Sequence, residues 1–313
     1  MEQKKTFSEL LKASLKSKDT EETVDIYFNR PVGLAIALVC KSLHIHPNAI
    51  TVFSFFVGAA GGWLLFYHDI WLNLLGILLL MIANFCDSAD GQLARLTGQK
   101  TLVGRVLDGF AGDVWYTFIY LAIIFRLWNE KIPFTDVEWG VWAFVLCFVA
   151  GVICHSKQSS LADYYRQIHL YFLLGKNGSE LDDSKTQRAI YDALPKWKDF
   201  WAHAFYYNYA NYCKSQEKRT PKFQALYAAL RKKYPNVEDM PQQLRDDFRK
   251  GSFPLMKYTN WLTHNSRAFT LYITILLNVP YVYPLFEIIV LSAMYFYMHH
   301  KHEALSEQMM KRL

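Results

Sequence analysis

Long apolar runs follow one another along most of this chain, and one wide polar stretch separates the last of them from the rest. A helix needs roughly 20 apolar residues to cross about 30 Å of hydrocarbon. Six runs are read as membrane spans on that basis: residues 48–67, 71–94, 105–127, 139–157, 267–280 and 281–299. Asn278, Pro280 and Pro284 lie around the junction of the last two and predict a tight turn there. Ahead of the first span, Arg30 to Leu43 is apolar but too short to cross, and a run of mixed acids and bases precedes it. Residues 1–45 therefore read as an amphipathic N-terminal region lying in the membrane interface, with a partly disordered tail as the alternative. The polar start holds no early apolar stretch of the signal-peptide kind.

Charge placement gives the expected orientation. The loop between spans two and three carries Arg95, Lys100 and Arg105. The stretch Tyr67–Asp69 has no Lys or Arg, and Asn129–Glu138 sets Lys131 against Glu130, Asp136 and Glu138. Basic residues collect on the cytoplasmic side, so the termini, the Arg95–Arg105 loop and the polar stretch are expected there. That stretch, 158–265, holds 17 of the chain's 34 Lys and Arg against 11 Asp and Glu. Its helical spacing is punctuated by Pro195, Pro221, Pro235 and Pro241, which predicts a helical cytoplasmic insertion. The expected division is 1–45 interfacial, 46–157 the first four spans, 158–265 the insertion, 266–300 the last two spans, and 301–313 a cytoplasmic tail. With 52% hydrophobic and 20% charged residues distributed this way, the 313-residue chain is neither disordered, collagenous, a coiled-coil rod nor an ordinary soluble domain. The expected fold class is an all-α integral membrane protein of six transmembrane helices. Five cysteines without a CxxC pair exclude a disulfide framework and a zinc motif. The basic aromatic insertion shows no RNA-binding motif, and anionic headgroups account for its charge, so no nucleic acid is expected.

The chemistry concentrates at the end of span two. Asp87 and Asp90 are three apart and share a helix face, Gly91, Ala94 and Arg95 follow, and Gly104, Asp108 and Asp113 open span three. Ionisable groups inside a span are costly and mark function by default; the structural alternative pairs them with Arg95, Arg105 or Arg126. Clustered carboxylates repel unless a cation holds them, and a hard divalent ion with oxygen ligands, Mg²⁺, Mn²⁺ or Ca²⁺, suits them. Two such ions would clamp a phosphoryl group. The small residues Gly91, Ala94 and Gly104 either let helices approach or let a nucleotide lie against backbone.

The stretch Asp87-Ser88-Ala89-Asp90-Gly91-Gln92-Leu93-Ala94-Arg95, followed after eight residues by Gly104 and then Asp108, resembles the CDP-alcohol phosphotransferase signature D-x2-D-G-x2-A-R-x8-G-x3-D-x3-D. Seven of its eight fixed residues match. The resemblance implies that Asp87, Asp90, Asp108 and Asp113 ligate Mg²⁺ or Mn²⁺, as two ions, and that Gly91, Ala94, Arg95 and Gly104 line the CDP pocket. The run from Pro47 through Asn48 to Thr51 also looks like the family, which adds Asn48 and Thr51 to that pocket; Asn48 as a helix N-cap is the alternative. The signature's last Asp, the family's general base, falls on Gly112, and Asp113 follows it. On a regular helix position 112 lies about 40° from Asp108 and position 113 about 140°. A π-bulge or kink at Gly109 or Gly112 would return Asp113 to the site as the acceptor's base.

The resemblance implies displacement of CMP from a CDP-linked alcohol by a second alcohol. The run Ser156 to Arg166 is similar to the acceptor region of members using phosphorylated acceptors, although its arginine pair is missing. Arg105, Lys157, Arg166 and Arg267 are the candidate acceptor-binding residues, each also explained by cytoplasmic charge bias. The compact size is similar to bacterial members. The expected protein is an enzyme of phosphatidylinositol-phosphate-synthase type in a bacterial cytoplasmic membrane. It would join CDP-diacylglycerol to inositol phosphate, face the cytoplasm and depend on membrane lipid. Transfer of CDP-ethanolamine or CDP-choline to diacylglycerol or ceramide is the alternative, and a CDP-lipid-binding scaffold without turnover is the second. A homodimer is common in the family, though no residue here specifies it.

Overall fold

The computed structural model describes residues 6–14, 17–99, 101–195 and 200–313, without the side chains of Leu102, Val106 and Asn177. Lys100 of the basic loop lies outside these residues. The described chain is helical throughout, apart from connections and one isolated bridge between Lys131 and Glu138. In chain order the helices are α1 (Phe7–Ser14), α2 (Arg30–Ser42), α3 (Pro47–Leu64), α4 (Ile70–Thr97), α5 (Leu102–Leu127), α6 (Val141–Phe148), α7 (Ser156–Leu174), α8 (Ser184–Ala193), α9 (Phe200–Arg219), α10 (Pro221–Lys233), α11 (Gln242–Ser252), α12 (Met256–Trp261), α13 (His264–Leu276), α14 (Val282–Phe286) and α15 (Ser292–Met310). Single π-helical turns occupy Asp25–Asn29, Val149–His155 and Glu287–Leu291.

Five helical stretches are long and apolar enough to cross a membrane: Pro47–Leu64, Ile70–Thr97, Val103–Leu127, Val141–Leu174 and Val282–Met310. They coincide with five of the six expected spans. The other, 267–280, coincides with α13, whose 13 residues rise about 20 Å, short of the hydrocarbon thickness. The turn expected after it is present: Asn278 sits at φ 58°, in the left-handed region, and Pro280 follows.

The chain forms two compact units. The first contains Glu21–His155 and Asn265–Ile289. Its helix ends follow local chemistry. Asp69 caps α4 by accepting from the Trp71 and Leu72 N–H groups, both at 2.9 Å, and Gly98 stops that helix at φ 72°. Thr101 caps α5 through Gly104 N–H at 2.9 Å. α3 and α4 pack backbone to backbone: a Cβ on either Gly61 or Gly76 would lie 2.8 Å from the other's carbonyl oxygen. α2 also packs closely onto α4, since a Cβ on Gly33 would lie 2.7 Å from Ser88 Oγ and 3.2 Å from the Ala89 backbone N. Burial of Leu65, Leu80, Trp115, Ile123 and Leu271 forms the apolar core. At one end Arg126 joins three connections, donating to Leu65 O at 2.8 Å, Asn73 Oδ1 at 3.3 Å and Asn278 Oδ1 at 2.6 Å.

The second unit contains Ser156–His264, Val290–Leu313 and the short segment 17–20. α7, α11, α12 and α15 pack together, with Phe172 stacked on Phe248 at 3.8 Å and Tyr165 on His302 at 3.9 Å. The expected tail boundary at 301 falls inside α15. Glu303 of that helix accepts from the Lys222 and Phe223 N–H groups, at 2.8 and 3.3 Å, and so closes the open first turn of α10. Asp19 ties the short segment in place through Arg249 at 2.8 Å and His169 at 3.2 Å, and His169 in turn meets Ser252 Oγ at 2.7 Å.

Candidate functional site

α4 carries the first half of the site. Positions 87, 90, 91 and 94 recur at three and four residues and so lie along one face, while Ser88 and Gln92 face α2. Gln92 is fully buried and donates to Arg30 O at 3.0 Å and Ser88 Oγ at 3.3 Å. α5 supplies Asp108. One carboxylate oxygen each from Asp87, Asp90 and Asp108 falls within 4.8 Å of the others. Asp90 is buried, Asp87 half-buried and Asp108 exposed, so the cluster opens on one side. Thr51 of α3 donates its hydroxyl to Asp90 Oδ2, which fixes the orientation of the buried acid. All of these residues belong to the first unit.

Three carboxylates so close repel one another when ionised. The arrangement fits a hard divalent cation: all donors are oxygens, they converge, and a solvent-facing side remains for further ligands.

The small residues separate into two kinds. A Cβ on Gly104 would lie 2.8 Å from Asn48 Oδ1 and 3.0 Å from Thr101 Oγ1, so Gly104 makes room for Asn48 to reach α5. A Cβ on Gly91 would meet only the Arg95 guanidinium, at the ordinary distances of 3.5 and 3.8 Å. Internal packing therefore does not require Gly91, whose face is open. Ala94 is half-buried on the same face. Arg95 Nε and Nη2 are buried without a hydrogen-bond partner. Asn48 is not the cap of α3: His46 is, its Nδ1 accepting from the Asn48 N–H at 3.1 Å, with Pro47 as the first helical residue.

Asp113 stands outside the carboxylate triad. α5 runs as uninterrupted α-helix past Gly109 and Gly112, so no π-bulge rotates Asp113 toward Asp108. It is exposed and lies in electrostatic reach of His155. The acceptor candidates belong to both units. Arg105 is exposed on α5, and Arg267 is 1% exposed and paired with Glu287 in the first unit. Lys157 and Arg166 belong to the second unit, where Lys157 is exposed and Arg166 donates to Asn260 Oδ1 at 3.0 Å.

Two features had no counterpart in the sequence reading. One is the pairing of Arg30 with Glu21 beside the signature, 3.1 Å at its shortest. The other is a buried cluster in which Glu287, itself 0% exposed, accepts from Arg267 and Tyr120, from Tyr283 at 3.0 Å, and meets His155 Nδ1 at 3.2 Å. Both His155 and Glu287 sit on π-helical turns, which re-aim side chains that a regular helix would place elsewhere. An acid in the last apolar run was the one available signal.

Residues 44–167 match the family of CDP-alcohol phosphatidyltransferases. The match contains the carboxylate triad, Asn48, Thr51 and the whole Asp87–Asp108 signature, and it supports that family for this domain. An uncharacterised protein of Aquifex aeolicus (strain VF5) is 37% identical over 65 residues, which cover 21% of this chain and 32% of that protein. No solved structure matches the chain.

Proposed function

We propose that the chain is a membrane phosphotransferase of phospholipid synthesis that displaces CMP from a CDP-linked alcohol. The observation that carries this reading is the convergence of Asp87, Asp90 and Asp108 within 4.8 Å, inside the segment that matches the family. Mg²⁺ or Mn²⁺, as two ions when bound, would supply the positive charge that draws off charge from the transferred phosphoryl group. Asp87, Asp90 and Asp108 would hold the ions, with Thr51 keeping Asp90 turned inward. Arg95 would donate its unpartnered N–H groups to phosphate oxygens. The open face at Gly91 and Ala94, with Asn48 and Thr51 across from it, would receive the cytidine nucleotide. We retain Asp113 as the base for the acceptor hydroxyl, being the carboxylate of the signature region left outside the triad.

The preferred donor is CDP-diacylglycerol and the preferred acceptor inositol phosphate, giving a phosphatidylinositol-phosphate-type lipid. Arg105 of the first unit remains a proposed acceptor cation, whereas Arg267 of the same unit is taken up by Glu287; a homodimer in a bacterial cytoplasmic membrane with the site facing the cytoplasm remains the proposed setting. The sixth span at 267–280 and the division at 45, 157, 265 and 300 belong to the same proposal. The position of Asp113 favours one second reading, a CDP-lipid-binding scaffold without turnover.

The test is CMP release by purified protein with Mg²⁺ and CDP-diacylglycerol across inositol phosphate, inositol, glycerol phosphate and serine. CDP-ethanolamine with diacylglycerol is the contrasting pair. Release with inositol phosphate is the expected result. Release only with CDP-ethanolamine would make the lipid the acceptor, and CDP-lipid binding without release from any pair would select the scaffold.

A further inference from the structure

We propose that Arg30, held in place by Glu21, is a second phosphate-binding guanidinium of the Asp87–Asp90–Asp108 site and works beside Arg95. The inference rests on the proposed function and adds to it a residue outside both the signature and the matched segment.

The placement is built from several contacts, all within the first unit. Gly33 brings α2 close against the Ser88 side chain and the Ala89 backbone N of α4, the residues between the first two signature acids. One turn earlier on α2, Arg30 O accepts from Gln92 Nε2 at 3.0 Å, so the two helices run antiparallel past the signature. The segment before Arg30 is pinned as well: Asn29 Nδ2 donates to Asn265 Oδ1 at 3.3 Å, and Asn265 Nδ2 donates to Glu22 and Asp25 at 2.9 and 3.0 Å. Glu21 takes the Arg30 guanidinium in a forked pair, Nη2 to Oε1 at 3.1 Å and Nε to Oε2 at 3.3 Å. The forked pairing fixes the plane of the guanidinium. Arg30 then stands in electrostatic reach of both Asp87 and Arg95.

Arg30 and Arg95 lie in electrostatic reach of each other, and their like charges repel. Glu21 offsets one of these charges. Arg95 keeps two buried N–H donors without acceptors, and buried donors left unmade are costly. A tetrahedral anion with several acceptor oxygens satisfies both conditions, and the arginine fork suits phosphate. The shared chemistry is a phosphate group. It could come from the diphosphate of the CDP-linked donor or from a phosphorylated acceptor alcohol.

The experiment is calorimetric titration of the purified full chain in detergent with Mg²⁺, using CDP as one probe and inositol phosphate as the other. Arg30→Gln alone would remove the counter-charge that Glu21 faces, so Glu21→Gln/Arg30→Gln is compared with it, and Arg30→Lys keeps the charge without the fork. Wild type is expected to bind CDP, and the double variant, folded with a wild-type far-UV spectrum, to bind it at least about tenfold more weakly, with Arg30→Lys between them. Weakening confined to inositol phosphate supports the inference with the acceptor's phosphate as the ligand. Wild-type binding of both probes by the folded double variant overturns the inference and leaves the proposed function standing. A wild-type protein that binds neither probe overturns both.

Discussion

Two groups of carboxylates in the first unit lie in apolar helices and are treated in opposite ways. Glu287 is enclosed by a guanidinium, an imidazole and two phenols, and it is 0% exposed. Asp87, Asp90 and Asp108 converge, one oxygen of each within 4.8 Å of the others, and open toward solvent at Asp108. An acid wrapped in donors holds helices together and has no capacity left for a ligand. Acids set against acids cost stability in the absence of a cation, and such a cost is tolerated where a ligand repays it. The contrast is the one the proposed function requires: a structural role for the Glu287 cluster and a ligand-holding role for the triad.

The largest effect that would sharpen this contrast is on turnover. Asp87→Asn, Asp90→Asn and Asp108→Asn are each expected to reduce CMP release to background while leaving the thermal midpoint in EDTA unchanged or raised, because each removes one member of a repelling cluster. EDTA should inactivate the wild-type protein and Mg²⁺ or Mn²⁺ should restore it, with a rise in the thermal midpoint that the three variants lack. In the other group, Glu287→Gln should cost about 3–5 kcal/mol of stability by leaving Arg267 buried without its counter-charge. Replacing both by Leu and Met should recover most of that loss. Asp113→Asn is expected to lower kcat by about 10²-fold and to leave CDP binding intact, if the proposed base is correct; wild-type turnover would place the base elsewhere.

The smallest expected effect lies in the second unit and depends on pH. Hydrogen bonding to Arg249, and secondarily to His169, holds the Asp19 carboxyl below its ordinary value of 3.8. Its contribution is therefore fully present above that value and is lost as pH falls through the lower, folded-state value. The stability difference between wild type and Asp19→Asn should shrink as pH is lowered from about 6 to about 3. A difference that stays constant over that range would contradict the ion pair.

What could be read in the sequence was what is local or periodic. The long apolar runs needed only length, and Asp87, Asp90 and Asp108 needed only spacing. The offset of Asp113 was visible as an angle on a regular helix, and α5 keeps that regularity. What escaped depends on contacts between distant residues. Gly33 reads as a weak helix residue until Ser88 is seen against it. The Glu287 cluster joins residues 120, 155, 267, 283 and 287 through π-helical turns, which no periodicity announces. α13, the expected span at 267–280, is the shorter helix: its turn at Asn278 keeps it to 13 residues, a length set by that turn and not by the apolar run.

The most direct test of the contrast is a Mn²⁺ titration of the purified protein, followed by the loss of the free-ion electron paramagnetic resonance signal, in wild type, Asp90→Asn and Asp108→Asn. Saturable binding in wild type that is lost in both variants is the predicted result. Mn²⁺ binding that survives both substitutions would contradict the assignment of these acids to a cation site.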